Sequence, residues 1–136
     1  MAPLTTPLNA WHRAQGARMA LFGGYDMPLW YASARNEHLA VLTGVGVFDT
    51  SHMAAIRLEG SGAFDLLQFC FTNDLNACRG PHKAPLEPGR ALYGAFLNAD
   101  GHVVDDAIVF MLGGEAFLVV VNAGMGDRVA SHLDRF

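Results

Sequence analysis

Apolar and polar residues follow two periods along this chain, one of two residues and one of three to four. Residues 91–98 (ALYGAFLN), 101–110 (GHVVDDAIVF) and 117–121 (FLVVV) are rich in β-branched and aromatic side chains and are separated by NADG and by paired glycines. That pattern predicts three strands joined by tight turns, the first two as an antiparallel hairpin. Residues 55–59 (AIRLE) alternate in the same way and predict a further strand. Helical spacing is found over residues 34–43, where Leu39 and Leu42 stand three apart between Ser33 as N-cap and Gly44 as stop. It recurs after Ser61, with Phe64, Leu67 and Phe71, and again near the end, with Val129, Leu133 and Phe136 on one face. Pro7 and Gly16 limit residues 5–20 to a short turn of helix around Leu8, Trp11 and Ala14. Residues 21–31 (LFGGYDMPLWY) crowd rings around Gly23, Gly24 and Pro28, which predicts an irregular extended segment. Residues 73–90 carry three prolines, two glycines and no apolar period, and predict a long surface loop. Strands, hairpins and returning helices together predict an α+β fold, an antiparallel sheet with packed helices, and no shift in composition marks a domain boundary.

One interruption of this pattern carries chemistry. Asp105 and Asp106 sit side by side in the β-branched run VVDDAIV, where Asp is disfavoured. Alternation places Asp105 with Val103, Ala107 and Val109 on one face, and Asp106 with Val104, Ile108 and Phe110 on the other, so at most one acid faces a given cavity. Two readings follow. The acids bond nearby backbone N–H groups at a strand entry, or one of them is partly desolvated and faces a ligand that is, or becomes, cationic.

Composition narrows the field. The chain has 136 residues, 51% hydrophobic and 16% charged, enough to build an apolar core and unlike a disordered segment. A net charge of −4, with nine scattered Lys and Arg residues, offers no footprint for nucleic acid. No apolar run approaches the length of a membrane span, and the first residues lack a signal layout, so a soluble cytoplasmic protein is expected. Cys70 and Cys78 have no metal-ligand spacing and read as reduced thiols, and the six dispersed His residues form no metal motif, so no metal site is expected.

The ordered series GARM, FGGYDMP, EHLAV, GVFDTSHM, ALYGAFLN, GHVVDDAIV and VVVNAG resembles the N-terminal part of the glycine cleavage system T-protein, the aminomethyltransferase, over nearly the whole chain. The resemblance implies a ferredoxin-like folate-binding domain of that family, incomplete here: residues 1–136 match its N-terminal part, and the C-terminal half and barrel domain are expected to lie elsewhere. It further implies transfer of an aminomethyl group from the lipoyl arm of a lipoylated H-protein to tetrahydrofolate, with release of ammonia. By the same resemblance the first acid of the pair, Asp105, is the catalytic carboxylate and Asp106 holds structure. Met53, Leu92 and Tyr93 match positions lining the folate pocket, and Asn122, in VNAG, is a further cofactor-binding candidate. Asn122 also reads as a turn residue bonded to its own backbone.

This chain departs from the family pattern at Tyr25, where the family carries Trp, at Leu42, where it carries Arg, and in the Pro-rich insertion at residues 79–88. Asp105 without the opposing half of a folate pocket is expected to be silent alone, active only with the remaining C-terminal part of the T-protein. Two other functions are compatible with the same motifs: a related folate-dependent demethylase, and a non-catalytic folate-binding protein. The intact FDTSHM and VVDDAIV motifs favour the transferase.

Overall fold

The computed structural model describes residues 2–78 and 83–136. Residues 79–82, at the start of the Pro-rich insertion and including His82, lie outside the described residues. The chain divides into two compact units, Met1–His52 and Met53–Phe136, a division that the even composition on either side did not signal.

The first unit contains β1 (Leu4–Thr5), α1 (Asn9–Ala14), β2 (Arg18–Phe22), β3 (Tyr25–Trp30) and α2 (Ala34–Thr43). β2 and β3 pair antiparallel and β1 adds in parallel, giving the order β1-β3-β2. The stretch expected to be irregular is therefore a regular hairpin. Gly23 and Gly24 turn it with φ of 57° and 86°, the left-handed pair that matches strand twist. Pro28 cannot donate to the ladder, and it sits where the register slips between Arg18 and Met19. α2 starts at Ser33, whose hydroxyl accepts the Asn36 N–H at 3.1 Å, and stops at Gly44 as predicted. It buries none of its residues: Leu39 is 45% and Leu42 68% exposed.

The second unit contains β4 (Ala54–Glu59), α3 (Ala63–Cys70), β5 (Ala91–Leu97), β6 (Val103–Gly113), β7 (Ala116–Val121) and α4 (Gly126–Leu133). Its sheet runs β4-β7-β6-β5 with every neighbour antiparallel, as the hairpin signals required. The predicted NADG turn forms, with Asn98 Oδ1 accepting from the N–H groups of Asp100 and His102 and Gly101 at φ 79°. One face of the sheet packs against the helices. Leu92, Phe96, Val109, Phe117 and Val119 meet Leu67 of α3 and Val129 and Leu133 of α4 in one core. Gly94 is required there, because a Cβ at this position would stand 2.7 Å from the Phe71 ring.

Three expectations are corrected in this unit. α3 opens at Gly62, with no side-chain cap, rather than at Ser61. Phe136 lies past the end of α4 and is largely exposed, so Val129, His132 and Leu133 form the buried face of the helix. The long segment expected to run over the surface sends two leucines inward: Leu75 and Leu86 are buried and joined by a 2.6 Å backbone hydrogen bond. Their spacing follows no helix or strand period, so periodicity could not reveal them.

Candidate functional site

β6 presents the acid pair, and its ladder is irregular at that point. Phe96 pairs with Asp105 and Leu97 with Val103, so Val104 is an extra residue opposite no partner. The bulge breaks the expected alternation. Val104 and Asp105 are both buried, at 9% and 8% exposure, whereas Val103 is 62% exposed. From Asp105 onward the period of two resumes, with Ala107 and Val109 buried against the helices. Asp106 therefore stands on the other face of the sheet, with Ile108, as predicted.

A single amide ties the two acids together. The backbone N–H of Asn122, the residue just after β7, donates to Asp105 Oδ2 at 2.9 Å. Its side-chain Nδ2 donates to Asp105 Oδ1 at 2.9 Å and to Asp106 Oδ1 at 2.7 Å. Tyr93 on β5 donates its phenol to Asp106 Oδ2 at 2.8 Å. Both oxygens of each carboxylate are thus occupied. The Tyr93 phenol, and after it the Asn122 amide, hold the Asp106 carboxyl below the usual carboxylate range, so it is ionised at neutral pH. The same bond to Asp106 pushes the Tyr93 phenol up.

The remaining candidates fall on both sides of the sheet. Tyr93 is exposed on the face of Asp106, whereas its neighbour Leu92 is buried in the helix-packed core. Met53 immediately precedes β4, whose Ala54 pairs with Val121, so Met53 and Asn122 stand at the same end of the sheet. Asp105, Asp106, Asn122 and Tyr93 are joined by hydrogen bonds; Leu92 is not among them. The sequence reading left Asp106 as a structural residue. The signal that finds it is the phenol two strand positions away on its own face, visible only once the register is known.

The first unit holds a second polar cluster that sequence reasoning passed over as a dispersed histidine. His12, at 3% exposure, bridges the Tyr31 hydroxyl through Nδ1 at 2.6 Å and Asp49 Oδ2 through Nε2 at 2.9 Å. Thr6 Oγ1 also donates to Asp49 Oδ2, and the Ser51 N–H donates to Oδ1. Burial alone would raise the Asp49 pKa, but the bonds from Ser51, His12 and Thr6 outweigh it and hold the carboxyl far below its ordinary value. This cluster floors an apolar hollow of about 790 Å³ walled by Trp11, Met27, Val41 and Phe48. Among the described residues no group of His, Cys, Asp and Glu is placed to hold a metal ion, and no helix is long and apolar enough to cross a membrane.

Fold and cluster define a class: an α+β domain that displays an ionised carboxylate, its phenol and its amide on one face of an antiparallel sheet. A family model described as the GCVT N-terminal domain matches residues 8–136. The chain belongs to that family. It is 44% identical over 128 residues to the aminomethyltransferase of Deinococcus deserti, covering 94% of this chain and 34% of that relative. Identity to the aminomethyltransferase of Burkholderia multivorans is 45% over 123 residues, 90% of this chain and 31% of the relative. The crystal structure of glycine cleavage system aminomethyltransferase T from Bartonella henselae superposes with a TM-score of 0.78 at 31% identity, over 96% of this chain and 34% of that one. The chain thus spans about a third of the length of the curated relatives it matches.

Proposed function

We propose that this chain is the folate-facing N-terminal part of an aminomethyltransferase, which passes the aminomethyl group of a lipoylated H-protein to tetrahydrofolate and releases ammonia. Asp106, rather than Asp105, is the reacting carboxylate in this reading. The observation that supports it is the placement of the pair: Asp106 shares a face with Tyr93, while Asp105 is buried behind it with both oxygens taken by Asn122. Losing aminomethyl from sulfur generates a cationic, iminium-like carbon, and a carboxylate fixed beside it stabilises that charge more than it stabilises the neutral reactants. The sulfur departs as a thiolate with the C–S electron pair, and the same carboxylate takes the proton from the attacking folate nitrogen as the new C–N bond forms. Ammonia leaves when a second folate nitrogen displaces it from that carbon. Tyr93 and Met53 offer flat and polarisable surfaces to the pterin ring. Leu92 supports the strand from within the core.

The test is a chimera carrying this chain in place of the matching third of the Deinococcus deserti relative. Aminomethyl transfer is expected, falling by about 10²-fold or more in Asp106→Asn. Full activity in that variant overturns the assignment of Asp106. A folded chimera that neither transfers aminomethyl nor binds tetrahydrofolate overturns the function.

A further inference from the structure

The Asn122 amide makes more contacts than a turn residue needs, and their chemistry fixes its orientation. Two carboxylate oxygens, one from each acid, face the same side-chain nitrogen. Only an NH2 satisfies both, so Nδ2 lies between the acids, and Oδ1 has no hydrogen-bond partner among the described residues. Asp105 supplies the reason the amide cannot turn over. It accepts from the Asn122 backbone N–H through one oxygen and from Nδ2 through the other, gripping the residue at two points. Asp106 offers the amide a single oxygen and leaves the other to Tyr93.

We propose that Asp105 is a positioning residue that acts through Asn122: its two-point grip directs the amide nitrogen onto Asp106 and commits the amide oxygen to accept. The proposal rests on Asp106 being the reacting acid and adds a statement about what the site takes. With Asp106 ionised and Asn122 Oδ1 an acceptor, this end of the sheet recognises a partner that brings N–H donors. A ligand presenting only acceptors finds nothing to bond.

The sign of one measurement separates positioning from simple charge. Replacing Asp105 by Asn deletes a negative charge beside Asp106, which by itself favours ionisation and lowers the Asp106 pKa. The replacement also brings a new NH2 against two donors, the Asn122 N–H and Nδ2. The backbone N–H is fixed, so the side chain of Asn122 turns over, Asp106 loses its amide donor and meets an oxygen, and its pKa rises. Carboxyl carbon NMR titration of the 136-residue chain follows Asp106 directly. The expected result is an upward shift in Asp105→Asn, an upward shift in Asn122→Ala, and a downward shift when Asp105→Asn is added to Asn122→Ala. A downward shift in Asp105→Asn alone overturns the proposal.

If Asp105→Asn does not fold, the unaltered chain still provides a test. Two resolved Asn122 Nδ2 proton signals that exchange slowly with water are expected, and rapid averaging of the two overturns the grip. Titrating the chimera with tetrahydrofolate keeps this result apart from the functional reading. The predicted shifts in the chain, together with a folded chimera that binds no tetrahydrofolate, leave Asp105 in its positioning role and count against the transferase.

Discussion

At the scale of single residues, two identical side chains differ in which face of the sheet each occupies. Asp106 accepts hydrogen bonds from the Tyr93 phenol and the Asn122 amide, and these two bonds hold it ionised. Tyr93→Phe removes the larger contribution and keeps the ring. We expect the Asp106 carboxyl to titrate at higher pH in that variant, with little change in unfolding free energy because the phenol is exposed. Carboxyl NMR and urea unfolding of the two chains check both halves. The sequence made the pair visible, since Asp interrupts a β-branched run, and alternation correctly separated the two acids. It also placed Val103 beside Asp105, which the bulge at Val104 prevents. A bulge leaves no mark in hydrophobic period, because the extra residue is itself apolar. The choice of Asp105 as the reacting acid came from resemblance; the outward face of Asp106 comes from register.

At the scale of elements, close approach between a strand and the end of a helix fixes β5. Gly94 lets the Phe71 ring reach the strand backbone, and Phe71 then packs on Phe96 with centroids 5.1 Å apart. A methyl at position 94 must displace that ring, which is buried. Gly94→Ala is therefore expected to destabilise the second unit by about 1–3 kcal/mol, read as a lower urea midpoint at unchanged slope. An unchanged midpoint would show that the ring moves freely. Strand positions, hairpin turns and the Ser33 cap were legible because each is a local preference. Leu75 and Leu86 were not, since a residue plugging a core from a loop has only its hydrophobicity to announce it. The same holds for α2, whose Leu39 and Leu42 fit an inward stripe yet stand exposed.

At the scale of the molecule, the two units differ in how they are held together. The second has a contiguous apolar core, whereas the first buries Met27 among Thr6, Asn9 and His12. A network of hydrogen bonds centred on Asp49 and His12 does for the first what hydrocarbon does for the second. The second unit nevertheless includes one titratable group in its core. His132 is 6% exposed between the rings of Phe96 and Phe136, and its Nε2 has no partner among the described residues. Burial, and secondarily the charge of Arg135, lower its pKa. The unfolded chain therefore takes up this proton first. The stability due to a neutral His132 is complete above the ordinary histidine value of about 6.5 and is lost as pH falls from there toward the folded value. The urea midpoint is expected to drop between about pH 7.5 and about pH 5.5, and to drop less in His132→Leu. Equal slopes in the two chains would remove His132 from the account.

The amide shared by Asp105 and Asp106 also gives the molecule a chemical age. Hydrolysis of that one side chain, Asn122 to Asp, replaces the only NH2 between two carboxylates with a third acid. The mass rises by about one dalton while the donor that both acids depend on is gone. Three carboxylates at hydrogen-bond distance cannot all stay ionised, so at least one retains a proton near neutrality. A stored sample would then carry a third carboxyl group where the shared donor had been, and the order that the amide gives to Asp105 and Asp106 would be lost with it.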